Sequence, residues 1–150
     1  VIVVKCLEAD REAIKTLRVK LDEIADDGTD YLGKRVLKPW GHEIERYHDE
    51  HCSLTWLHIH SHSQTSMHCH LTKTTMLVVA GGVATIQTLS ETHTLEAGDI
   101  MVIEKGAFHQ TSSGEMGVML YEVETPSNKR DLVRLQDKYG REGMGYEHVA

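Results

Sequence analysis

His68 and His70 are the residues in this chain best placed to do chemistry. They stand two apart in a region rich in β-formers, and on a strand that spacing turns both imidazoles to the same face. A third, His109, follows a glycine-punctuated stretch, Gly98-Asp-Ile-Met-Val-Ile-Glu-Lys-Gly106-Ala-Phe. Brought together, three neutral imidazoles suit a divalent transition metal, Zn, Fe, Ni, Co or Mn, and leave coordination positions open for water or substrate. Histidine as a whole is enriched, eleven in 150 residues, mostly between His42 and His70. The eleven are dispersed, unlike a tag, so the enrichment belongs to the fold.

These residues need strands to hold them. Val1–Leu7 reads as a short strand. Glu8–Asp26 reads as a helix, with Ile14, Leu17, Leu21 and Ile24 forming one apolar stripe. Asp10 is a cap or first-turn acid and Asp26-Asp27-Gly28 a stop. From Lys34 short β-runs recur, at Leu54–His60, Met76–Val79, Val83–Leu89, Ile100–Ile103 and Gly117–Val123. Gly81-Gly82, Ala97-Gly98-Asp99, Lys105-Gly106 and Ser113-Gly114 mark turns between them. The pattern predicts an all-β sandwich or barrel over residues 34–150, preceded by a strand–helix extension over residues 1–33. Asp131–Val149 is charged and expected to be irregular, covering a mouth or an edge.

The length suits one domain with one core. A net charge of −7 provides no basic face, which argues against nucleic acid or an anionic membrane as partner. Cys6, Cys52 and Cys69 form no CxxC and are odd in number, as expected in a reducing compartment. No apolar run reaches membrane-spanning length and no signal peptide is evident, so cytoplasm is the expected location. The chain begins at Val1 without methionine, the pattern expected of a trimmed piece of a longer protein.

The two histidine segments resemble the paired motifs of the cupin superfamily, G-x5-HxH-x3,4-E-x6-G and G-x5-P-x-G-x2-H-x3-N. His68, His70 and Gly81 match the first, and Gly98, Gly106 and His109 the second. His62 replaces the opening glycine, Glu104 the proline and Ser113 the asparagine, and the family's glutamate falls on Thr74 or Thr75. Lys38-Pro-Trp-Gly-His-Glu43 and Asp131–Arg141 are similar to the flanks of type II mannose-6-phosphate isomerase cupins. Thr65–His70, with Glu124-Thr-Pro and Asn128, is similar to cupins associated with bacterial surface-polysaccharide enzymes.

The resemblance implies a double-stranded β-helix (jelly-roll) barrel, one divalent metal on His68, His70 and His109, and a sugar or sugar-phosphate substrate. It further implies an isomerase or epimerase of polysaccharide or nucleotide-sugar metabolism, and a homodimer with Val1–Leu7 as a candidate swapped strand. In that scheme Glu104 or His60 moves a proton, Lys38 or Arg134 holds an anionic group, and Trp40 stacks on a sugar ring; Arg46 and Arg141 are further candidates. The missing carboxylate leaves three readings open. Water or substrate replaces it, as in three-histidine Fe(II) dioxygenases; another residue, His58, His60 or Glu104, reaches in; or metal binding is lost and the barrel only binds a sugar. His58, His60 and His62 are expected on a solvent- or subunit-facing strand, and His42, His48, His51, His93 and His148 in solvated loops. Cys69, between the two ligands, is expected in the core. Tyr47, Tyr121 and Tyr139 are possible phenolic acids, indistinguishable in sequence from packing residues.

Overall fold

The computed structural model describes residues 1–142, 144, 146 and 147, and the statements below concern these; His148 lies outside them. Alternation of buried and exposed side chains builds ten strands: β1 (Ile2–Val4), β2 (Arg35–Lys38), β3 (Gly41–His48), β4 (Ser53–Ile59), β5 (Met67–Cys69), β6 (Thr74–Thr88), β7 (Thr92–Glu96), β8 (Ile100–Ile103), β9 (His109–Thr125) and β10 (Val133–Gln136). One helix, α1 (Glu8–Leu17), and a 3₁₀ turn at Leu21–Ile24 precede β2. No helix is long and apolar enough to cross a membrane.

Two long strands organise the molecule. β6 and β9 pair with each other along most of their length, from Thr74–Thr125 to Thr88–His109. The first half of β6 and the second half of β9 belong to one layer, ordered β1-β8-β6-β9-β4-β3-β2. The other halves carry β7 on one side and β5 with β10 on the other. The pairing does not close into a ring. Each long strand bends from layer to layer where the register shifts, around Val79–Ala84 of β6. Gly82 has φ +80° there, and a Cβ on it would lie 2.3 Å from the Gly117 carbonyl oxygen. Only glycine fits both the backbone angle and the close approach.

The interior holds two apolar clusters. Leu57, Ile59, Leu77, Val79, Met101 and Leu120 are among the residues filling the space between the layers. Met67, Cys69, Phe108, Val133 and Ile24 form the second, with Ile14 and Leu17 of α1 packed against it. Cys69 is fully buried there, as its position between two inward histidines requires.

Several expectations are corrected. The helix stops at Leu17 because Arg18 takes the left-handed conformation (φ 51°), and Leu21 is therefore turned out to solvent. Asp10 is the first-turn acid expected, its carboxylate accepting from the Leu7 amide at 2.8 Å and also from the Phe108 amide at 3.0 Å, which ties α1 to the approach to His109. The runs Met76–Val79 and Val83–Leu89 are one bent strand, since the Gly81-Gly82 step bends β6 without ending it. Val133–Gln136, expected to be irregular, pairs with β5. His42 and His48 lie on β3 and His93 on β7, where cross-strand pairing extends through positions expected as loops. The strand expected within Val1–Leu7 is β1, which pairs in parallel with β8.

Candidate metal and anion site

The register builds the site. His68 on β5 is the cross-strand partner of His109 at the start of β9, and His70 follows β5 by one residue. The ring centroids lie 4.5 Å (His68–His109), 5.2 Å (His68–His70) and 5.5 Å (His70–His109) apart. One nitrogen from each ring lies within 4.8 Å of the others. All three Nδ1 atoms face backbone carbonyls: Ser66 at 2.8 Å, Asp131 at 2.6 Å and Ala107 at 3.0 Å. Those carbonyls can only accept, so each Nδ1 carries the proton and each Nε2 keeps its lone pair. His70 Nε2 is buried with no hydrogen-bond partner. Burial pushes all three histidines below their ordinary pKa, helped by the neighbouring rings at His68 and by Lys73 at His70 and opposed by the Ala107 carbonyl at His109, so they are neutral at pH 7. Three oriented, neutral imidazoles with carbonyls behind them are the donor set a divalent transition metal takes.

Asp131 holds the loop after His70. It is fully buried, and its carboxylate accepts from the Leu71 amide (2.8 Å), the Thr72 amide (2.8 Å) and the Thr72 hydroxyl (2.6 Å). The same residue thus orients His70 through its carbonyl and fixes the turn through its side chain.

The cupin glutamate position is instructive. Thr74 points outward, whereas Thr75 is fully buried and its hydroxyl has no hydrogen-bond partner. Its cross-strand partner on β9 is Glu124. A carboxylate is therefore present beside the histidines, one strand over: Glu124 Oε2 lies 4.0 Å from His70 Nε2. Glu124 also pairs with Lys73 and, at 3.4 Å, with Lys129. Burial alone would raise its pKa, but the two ammonium groups win and hold it ionised. Glu122, two residues earlier on the same face, is pushed the other way by burial and by the Glu124 charge, with Lys129 opposing. The two carboxyls thus titrate far apart.

The histidines open into a cavity of about 620 Å³, its mouth included. Its far wall is cationic. Lys38, Arg134 and Arg141 converge on the Glu147 carboxylate, Arg134 at 3.0 Å and Arg141 at 2.5 Å. Arg141 is itself gripped by both Asp137 oxygens at 2.8 and 2.9 Å. Tyr146 lies under Lys38, whose Nζ is 3.8 Å from the ring centroid, and its buried hydroxyl has no hydrogen-bond partner among the described residues.

Of the residues singled out in the sequence, His68, His70, His109, Lys38, Trp40, Arg134 and Arg141 line this cavity. Trp40 does so as part of the apolar cluster, only 4% exposed. Glu104 and His60 do not line it. Glu104 lies on the β8–β9 turn and accepts from the Cys6 amide at 2.7 Å, and His60 is exposed on the outer side of the β3–β4 sheet. Arg46 is exposed, and Tyr121 packs on Trp56 on the outer face at 5.1 Å. Glu122, Glu124, Lys73, Lys129 and Tyr146 are residues that sequence reasoning missed as site residues. A signal existed: Val118, Leu120, Glu122 and Glu124 share one strand parity, so two acids occupy positions where the pattern calls for core.

Known proteins bear on the fold and family. The structure is similar to KdgF from Halomonas sp. (TM-score 0.60, 14% identity, covering 67% of this chain and 96% of that one). It is similar to a double-stranded beta-helix domain protein from Klebsiella pneumoniae (TM-score 0.58, 17% identity, 80% and 98% covered). It also resembles oxalate decarboxylase from B. subtilis (TM-score 0.61, 16% identity, 73% of this chain against 34% of that one). At these identities the likeness establishes the fold, a cupin double-stranded β-helix. No curated protein matches the chain in sequence. Residues 25–137 match the mannose-6-phosphate isomerase C-terminal family model, three-quarters of the chain, and the chain is a cupin belonging to that family.

Proposed function

We propose that this cupin is a metal-dependent enzyme acting on an anionic sugar, a sugar phosphate or sugar acid, by isomerisation or epimerisation. The observation that carries the reading is the pairing, in one cavity, of three convergent Nε2 lone pairs with a cationic wall of Lys38, Arg134 and Arg141. His68, His70 and His109 would hold the metal, with Glu124 the carboxylate nearest to it. The metal supplies Lewis acidity, lowering the barrier to proton loss beside a carbonyl.

The chain's own groups supply the rest. Lys38, Arg134 and Arg141 hold the anionic end of the substrate, a place Glu147 now fills with its own carboxylate. Substrate exchanges one anion for another there, so the cradle need not be desolvated anew. Trp40 and Leu57 offer apolar wall to the ring. Glu122, its pKa raised to about 8, exchanges its proton just above neutral pH, and its ionised form is the group suited to take a proton from the α-carbon and return it to the neighbouring carbon. It replaces Glu104 and His60 in that role. The carboxylate at Glu124 favours this chemistry over a three-histidine dioxygenase.

The test is exchange in D2O. Aldose phosphates and uronates incubated with the metal-loaded protein are followed by NMR, with neutral aldoses alongside. Deuterium should enter the carbon next to the carbonyl of an anionic sugar and not of its neutral counterpart, and Glu122→Gln should abolish the exchange. Ligand-induced stabilisation without exchange for any sugar would make the protein a binding cupin instead.

A further inference from the structure

A second group of histidines stands on the outer face of the sheet, outside the cavity. His42 on β3 and His58 on β4 are cross-strand partners. The His60 amide donates to the Trp40 carbonyl at 2.8 Å, which extends the pairing past β4 and keeps the His60 ring on the face of His58. The strands approach closely at this point because residue 41 is glycine: a Cβ there would lie 1.9 Å from the His58 carbonyl oxygen. The ring centroids are 5.3 Å (His42–His58), 5.2 Å (His58–His60) and 6.5 Å (His42–His60) apart. One nitrogen from each lies within 4.8 Å of the others, the same limit that the inner three meet.

The bland account is a solvated strand face that happens to carry imidazoles. It does not explain why three rings gather, one nitrogen of each within 4.8 Å of the others, on a surface where water would let them splay. We propose that His42, His58 and His60 form a second metal site, on the surface, for one divalent ion of the late first-row class, Zn2+, Ni2+ or Cu2+. Imidazole nitrogen is the donor these ions share, and their position in the affinity order puts them ahead of Mn2+ and Fe2+ at such a site. Arg35 Nη2 lies 3.4 Å from His42 Nδ1, a long contact that an ion on the three rings displaces. His60 is exposed, so water or a donor from another molecule has access to the remaining coordination positions. The site shares no residue with the inner one.

The test uses the untagged full chain, purified without an immobilised-metal step, stripped with chelator and titrated with Zn2+ by calorimetry. His58→Ala/His60→Ala, which changes only outward side chains, should take up one equivalent less than the wild type. The cobalt form of the wild type should show a visible ligand-field spectrum that diminishes in this variant. His68→Ala/His109→Ala should keep the outer equivalent, which separates this site from the inner one. If His58→Ala/His60→Ala binds as many equivalents as the wild type, with unchanged affinity, the outer site does not exist. That comparison decides the matter even if the inner variant fails to fold.

Discussion

Glu124 shows how one residue ties the site's chemistry to the protein's stability. Its carboxylate lies between Lys73, Lys129 and His70, all buried. Replacing it by glutamine leaves the buried Lys73 ammonium without the carboxylate it pairs with and removes one of those around Lys129, a change that typically costs about 3–5 kcal/mol. The same substitution should weaken metal binding about 10–100-fold, the usual loss when a partner of the ligand set is removed. Chemical denaturation and metal competition measure the two effects; a glutamine variant unchanged in both would mean that the carboxylate is a bystander. The histidines set the pH response of the metal-free protein. Their pKa values are lowered in the fold, so as pH falls below about 6.5 the unfolded chain takes up protons first. Stability is therefore complete above that pH and is lost below it, at up to about 1.4 kcal/mol per pH unit for each histidine. Glu122 acts in the opposite sense, because its raised pKa makes the folded protein bind the extra proton and lose stability as pH rises. One carboxyl opposes three imidazoles, and the histidine sign prevails. Urea midpoints for the stripped protein should fall from pH 7 to pH 5; a flat or rising series would contradict the neutral, buried histidines.

At the scale of elements, the bend in β6 carries the architecture. Gly82→Ala forces a Cβ to within 2.3 Å of the Gly117 carbonyl oxygen at φ +80°. We expect a loss of at least about 3 kcal/mol from strain and clash together. Gly98→Ala has a similar φ, +93°, but meets nothing within 4 Å, and should cost only about 1–2 kcal/mol. Equal losses in thermal unfolding would show that the close approach of β6 and β9 does not matter. This bend also marks the limit of what sequence reveals. Period-two alternation located β4 and β8 to within a residue or so, because one face of each is buried and the other is not. It read β6 as two strands, since Gly81-Gly82 has the composition of a turn, and only the pairing with β9 keeps the strand continuous. β10 was illegible for a related reason: Val133-Arg-Leu-Gln is too short and polar to declare itself without β5 beside it.

For the whole molecule, the cupin fold and the inner histidines were legible because spacing along a strand fixes which way a side chain faces. Lys38, Trp40 and Arg134 followed from the flanking motifs, but the remaining groups did not, because they are assembled across strands. Thr75 marks a missing carboxylate, and only the register of β6 against β9 places Glu124 opposite it. The cationic wall gathers Lys38 at the end of β2, Arg134 on β10 and Arg141 after it, positions that sequence distance does not relate. Glu104 and His60 had suitable chemistry and plausible positions but face away from the cavity those groups enclose. The account rests on His68, His70 and His109 holding a metal, and elemental analysis of untagged protein, purified without a metal-affinity step, tests it most directly. With the outer histidines removed by His58→Ala/His60→Ala, the protein should carry one equivalent of a divalent transition metal, and adding His68→Ala and His109→Ala should remove it. Metal content that survives the loss of both inner ligands, in a chain whose folding is verified by circular dichroism, would contradict the account.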